Sequence, residues 1–198
     1  QQSQRSSKKH GKTHMESACM SPQKNKIPLK ILDLHTKSYR DTLNIQLDLW
    51  QQRKNDLIEN TIILVQHPPV ITLGARNEKN ILLTNKNKLK ASNIELIEVR
   101  RGGGATAHNQ GQLVCYPILS LKQLNLGISE YVHRLQLTAQ KMLEKLNLKT
   151  RIRKDFPGLW AKERKIASVG VRVSKLISYH GIAVNINNYL NIFNHNFT

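Results

Sequence analysis

The stretch RGGGATAHNQGQLVCYPIL (101–119) is a glycine-rich loop running straight into an apolar strand. Three consecutive glycines, Gly102, Gly103 and Gly104, follow Arg101. Glycine lets a backbone take positive φ and approach its neighbours closely. Thr106, His108, Asn109 and Gln110 crowd polar groups into the same loop, and its peptide N–H groups suit an anion or a carbonyl oxygen. Taken alone, these residues also read as a plain hairpin turn. No G-x-G-x-x-G opens a helix here and no Gly-Lys-Ser/Thr follows, which excludes the dinucleotide fingerprint and the P-loop.

Working outward, residues 37–54 place Tyr39, Leu43, Leu47 and Trp50 at helical spacing, which predicts a helix with one apolar face. TIILVQ (61–66) is a β-branched run, and HPPVITLG (67–74) turns at Pro68-Pro69 into a second strand. Residues 80–92 read as a polar connection, IELIEV (94–99) as a half-buried strand, 100–111 as the loop and 112–119 as another strand. Over 128–147, Ile128, Val132, Leu135, Ala139, Met142, Leu143 and Leu146 keep a 3.6 period and predict the strongest helix. KIASVGVRVS (165–174) and LISYHGIAVNIN (176–187) predict a strand pair joined at Ser174-Lys175. This order predicts an α+β domain, a mixed β-sheet with helices packed on it, over residues 28–198.

The chain carries 31 Lys+Arg against 13 Asp+Glu, a net charge of +18. Residues 1–30 hold seven basic side chains and one acid, so most of the excess lies in the body. Residues 1–27 are polar and basic and predict a disordered N-terminal tail. A basic body suits acidic proteins, nucleic acid or a membrane surface, and a lysine-rich composition alone also accounts for it. No apolar run approaches the roughly 20 residues of a membrane span. Aromatic residues are 5% of the chain and no paired aromatic strand motif is present, which argues against nucleic acid. Cys19 and Cys115 are the only cysteines, no CxxC occurs and the histidines are scattered, so neither a disulfide scaffold nor a metal site is expected. The expected location is cytoplasmic. The mitochondrial matrix is the alternative, because the Arg/Lys/Ser bias of the tail is that of a transit peptide without its apolar face.

Lys165 opens an apolar strand. Read alone it ends a strand in solvent; partly buried, its amine would lose pKa and serve as a base near neutral pH. Gly170 marks a close approach of backbone or ligand, and His180 with Gly181 falls on the neighbouring strand. His180 alone reads as a structural histidine.

RGGGATAHNQGQLVCYPIL (101–119), KIASVGVRV (165–173) and YHGIAVNIN (179–187), with HPPVITLG before them, together resemble the octanoyltransferases of protein lipoylation, the lipoyl(octanoyl) transferases of the biotin/lipoate protein ligase fold. The resemblance runs from about residue 30 to the end. It implies an acyltransferase of lipoate biosynthesis without a cofactor. An octanoyl group would pass from octanoyl-acyl carrier protein to a cysteine thiolate and then to a lysine of a lipoyl domain, as in 2-oxoacid dehydrogenase complexes and the glycine cleavage H protein. It implies that Lys165 lowers the pKa of that cysteine. Arg101, Gly102, Gly103, Gly104, Ala105, Thr106, Ala107 and His108 would line the substrate site together with Ser168, Val169, Gly170, Gly181, Ile182 and Ala183. The glycines would keep the mouth of an acyl tunnel open. A monomer is the default. Acidic carrier and lipoyl domains would give the basic surface its motive.

The family's cysteine stands in a Pro-Cys-Gly segment that its spacing would place just past Thr198, followed by a closing helix. The expectations are then a piece of a longer active enzyme, an inactive or binding remnant, or chemistry by another group. Cys115 sits mid-strand and reads as a small buried hydrophobe, and Cys19 falls in the tail. The alternative function is an ATP-dependent lipoate–protein ligase, which needs no cysteine.

Overall fold

NTIILVQ and QLVCYPI form β2 (Asn60–Gln66) and β6 (Gln112–Ile118), which pair antiparallel with Ile63 opposite Tyr116 and Val65 opposite Val114. The computed structural model describes residues 26–153 and 157–195; the expected tail lies outside the described residues up to residue 25. Around the β2–β6 pair the main sheet has seven strands. β1 (Leu29–Thr36) runs parallel to β2 at one edge. Beyond β6 come β10 (Ile177–Asn185), β9 (Arg164–Ser174), β8 (Gly158–Ala161) and β7 (Arg151–Ile152), each antiparallel to its neighbour. A separate three-stranded sheet is ordered β4 (Glu95–Glu98), β3 (Val70–Leu73), β5 (Thr106–His108). The α+β reading with a mixed sheet therefore holds, but as two sheets. Pro68 and Pro69 offer no N–H to a ladder, so the chain leaves the main sheet there and β3 starts the small one.

Helix α1 (Tyr39–Lys54) is capped by the Ser38 hydroxyl, which accepts from the Asp41 N–H at 3.1 Å. Its buried stripe differs from the predicted one. Leu47 is 42% exposed, whereas Thr42, Gln46 and Arg53 are buried beside Tyr39. Each of these polar side chains makes at least one hydrogen bond, while the Gln46 Nε2 is buried without a partner among the described residues. Thr42 Oγ1 donates to the Ser38 carbonyl at 2.8 Å, Gln46 Oε1 accepts from the His180 N–H at 2.8 Å, and Arg53 donates to Asn60 at 3.1 Å and Gln123 at 2.9 Å. The predicted polar connection at 80–92 contains a short helix, α2 (Lys86–Ala91), capped by Asn85. Helix α3 (Ile128–Lys145) turns Tyr131, Gln136, Ala139 and Leu143 inward and leaves Ile128 and Leu146 exposed at its ends. The β9–β10 turn is Lys175-Leu176, not Ser174-Lys175. Both turn residues have positive φ, 51° and 60°, the twist that a two-residue hairpin needs.

The pleat sorts the core into two layers. Ile63, Val65, Val114, Tyr116 and Ala183 face α1, and Ala167, Ile182 and Val184 face α3. Behind the α1 layer lies a buried group of Tyr39, Tyr116, His67, His108 and His180. His67 Nδ1 lies 2.8 Å from the Lys37 carbonyl, so that nitrogen carries the proton, and Nε2 accepts from the Tyr116 hydroxyl at 2.9 Å. His108 Nδ1 donates to Gln112 Oε1 at 2.7 Å, an oxygen assigned by the Gln112 amide donating to Asn185 at 2.9 Å. Burial lowers all three imidazoles, His67 to about 4 and His108 and His180 to about 3, so they fold neutral.

Unfolded, each of these histidines titrates near 6.5. The unfolded chain therefore binds more protons below that pH, and stability falls as pH drops from about 6.5 towards 4, by up to about 1.4 kcal/mol per pH unit for each histidine. Thermal melts at pH 7.5 and pH 5.5 are expected to differ by about 10 °C, the acidic sample melting first. An unchanged Tm would contradict neutral burial.

Candidate active site

The loop after β4 is seated by Arg101. Its guanidinium is buried, with Nη2 donating to the Thr72 carbonyl at 2.9 Å and the Thr72 hydroxyl at 2.7 Å, and Nη1 donating to the Gly102 carbonyl at 3.0 Å. The next residue reaches the main sheet: the Gly102 N–H donates to the Val171 carbonyl of β9 at 2.9 Å. Gly104 is required by backbone packing. A Cβ there would meet the Lys79 carbonyl oxygen at 2.1 Å, so the loop packs backbone on backbone.

Between this loop and β9 lies an open cleft of about 440 Å³. Arg101, Gly102, Gly103, Gly104, Ala105 and Thr106 form one wall; Lys165, Ser168, Val169 and Gly170 form the other. Arg101, Thr106, Ser168, Val169 and Gly170 also line a narrow inner chamber of about 30 Å³ beside the cleft. There His108, Gly181, Ile182 and Ala183 join Tyr39, Val114 and Tyr116. The structure thus gathers thirteen of the fourteen residues expected to bind substrate, together with Lys165, around one cavity system. Ala107 is the exception: it is fully buried opposite Ile71 and packs with Leu89 and Ile94 in the core of the small sheet.

The cavity is mainly apolar inside and cationic at its mouth. Lys165 is half-buried, with Nζ 5.7 Å from the centre of the Trp160 ring. Burial, and next the charges of Arg101 and Lys79, push its ammonium below the usual lysine range. The Arg101 guanidinium is lowered by burial and stays charged. No carboxylate among the described residues pairs with it. A buried cation without a counter-charge favours a ligand that brings partial or full negative charge, such as a thioester carbonyl or an oxyanion.

Tyr39, Val114, Tyr116, Val132 and Lys79 also line the cavities and were not read as site residues. Tyr39 and Val132 carry only a helical-period signal, which reads equally as core. Cys115 enters neither cavity. It is half-buried among the residues facing α3, and burial pushes its thiol up to about 11, far from a nucleophile. Cys19 lies outside the described residues. His180 is buried behind the chamber and does not line it.

Residues 38–197 match the lipoyl protein ligase A/B catalytic domain. The chain is 36% identical over 164 residues to an octanoyltransferase of Desulfovibrio desulfuricans, an alignment spanning 82% of this chain and 68% of that one. It is 35% identical over 168 residues to an octanoyltransferase of Dictyoglomus thermophilum, covering 84% and 71%. Among solved structures it is similar to P. falciparum LipL1 in complex with lipoate, with a TM-score of 0.67 at 17% identity over 84% of this chain and 50% of that one. A lipoate–protein ligase A bound with ATP gives a TM-score of 0.61 at 16% identity, covering 83% and 68%. At such identities the structures establish a shared fold and nothing finer. With the domain match and the octanoyltransferase identities added, the chain belongs to the lipoyl protein ligase A/B catalytic domain family, among its octanoyltransferases.

Proposed function

We propose that this chain moves an octanoyl group from acyl carrier protein to the lysine amine of a lipoyl domain, in two acyl transfers. The observation that carries the reading is a cleft with a cationic, glycine-walled mouth that shares Arg101, Thr106 and Val169 with a narrow inner chamber. That shape suits an acyl tail inside and a thioester at Lys165. The nucleophile in this reading is a cysteine thiolate, as the octanoyltransferase family implies. It attacks the thioester carbonyl, the bond from carbon to the carrier sulfur breaks, and Lys165 gives its proton to the departing carrier thiolate. The neutral lysine amine of the lipoyl domain then attacks the enzyme thioester. The amide forms, the cysteine leaves as thiolate, and the surplus amine proton returns to Lys165. A lysine held below its usual range suits both halves of this exchange. Arg101 supplies positive potential for the carbonyl oxygen as charge develops on it. The excess of basic residues favours acidic carrier and lipoyl domains by steering.

The first test follows intact mass with octanoyl-acyl carrier protein for the chain as it stands and for a version extended through a Pro-Cys-Gly segment of the family. One octanoyl adduct is expected on the extended version, discharged when a lipoyl domain is added. Transfer only from free lipoate and ATP would overturn the reading in favour of a ligase. The second test is Lys165→Met, expected to slow transfer by at least about 100-fold. Lys165→Arg should not restore it, since a guanidinium does not release its proton at neutral pH. An arginine variant close to wild type would mean that charge alone is needed and no proton passes through residue 165.

A further inference from the structure

Strand β10 does not run straight past the inner chamber. His180, in its middle, has φ of 54°, a left-handed conformation that a side-chain-bearing residue in a strand avoids. Two side chains of α1 meet this kink. The His180 N–H donates to Gln46 Oε1 at 2.8 Å, and the Tyr39 hydroxyl lies 3.4 Å from His180 Nδ1. Gln46 is fully buried and His180 almost so, hence water does not compete for the amide. The His180 ring stacks on Tyr179 with centroids 4.9 Å apart, which fixes it from the other side.

The next residue takes up the consequence. Gly181 is pressed onto β6, where a Cβ would meet the Cys115 carbonyl oxygen at 2.0 Å. Gly181, Ile182 and Ala183 then form one wall of the inner chamber, and Tyr39 stands in the same lining. The hydrogen bond to Gln46 is therefore made one residue before the chamber wall begins, by a side chain that does not line the chamber itself.

We infer that Gln46 is a positioning residue for acyl-chain selection: its side-chain carbonyl holds the His180 kink, and the kink sets the wall of the chamber. This rests on reading the inner chamber as the end that receives the acyl tail. Losing the acceptor leaves a buried N–H without a partner, so β10 relaxes towards an ordinary strand and the wall from Gly181 to Ala183 loosens. A loosened wall discriminates less between tails of different length.

The variant Gln46→Met keeps length and removes the acceptor, and Tyr39→Phe keeps the ring and removes the second contact. Both are compared with wild type by calorimetric binding of octanoic and dodecanoic acids and by hydrogen exchange of residues 179–184. For Gln46→Met, exchange in that segment is expected to rise about tenfold while α3 is unchanged, and the preference between the two acids to narrow at least about threefold. Tyr39→Phe should move both readouts the same way by less, and it decides the matter alone if Gln46→Met does not fold. An equal loss for both acids, or an unchanged ratio with no local rise in exchange, overturns the inference. A wild-type protein that binds neither acid overturns the acyl-chamber reading, and the inference with it.

Discussion

The buried guanidinium of Arg101 is the contact on which the site depends. A charge in a protein interior is costly unless its donors are used, and Arg101 spends its donors on Thr72 of β3 and on the Gly102 carbonyl. Those bonds fasten the glycine loop to the small sheet, and the Gly102–Val171 bond carries the fastening across to β9. The cleft exists because the two sheets are held at this separation by a few backbone and guanidinium bonds. Burial is the main cause that lowers Lys165, His108 and His180, and the Arg101 charge adds to it from a distance.

A second consequence concerns the face towards α1. The helix buries Thr42, Gln46 and Arg53 where an ordinary amphipathic helix would bury leucines. Thr42 bonds the helix's own N-cap residue, Gln46 reaches β10, and Arg53 reaches β2 and the turn after β6. Polar burial of this kind gives modest net stability per bond but penalises any displaced arrangement, since a slipped helix strands several donors at once. The cluster of three neutral histidines follows the same logic and sits against the chamber.

Much of this was legible in the sequence. The glycine loop, the two long strands after Lys165 and both main helices emerge from periodicity and turn chemistry, and the motifs at 101–106, 108, 168–170 and 181–183 converge on the two adjoining cavities. What escaped has physical causes. β1 is an edge strand with Leu29 and Ile31 exposed and Leu32 and Leu34 packed against the main core, so it shows no clean alternation. β8 is four residues long, too short for a period. Leu47 was misassigned because an apolar pattern cannot register buried polar residues whose partners lie far along the chain. Ala107 belongs to the loop motif in sequence but to the small sheet in space, since β5 points alternate residues to opposite faces. Tyr39 gave no sign that one ring serves both core and chamber.

The central claim is that an acyl chain enters this cavity tail first and leaves its reactive carbon at the mouth. A crystal structure with octanoic acid tests it most directly. The account predicts the methyl end among Val114, Tyr116 and Ala183, and the carboxyl group between the glycine loop and Lys165. A chain lying in the opposite sense, or bound elsewhere on the molecule, would contradict it.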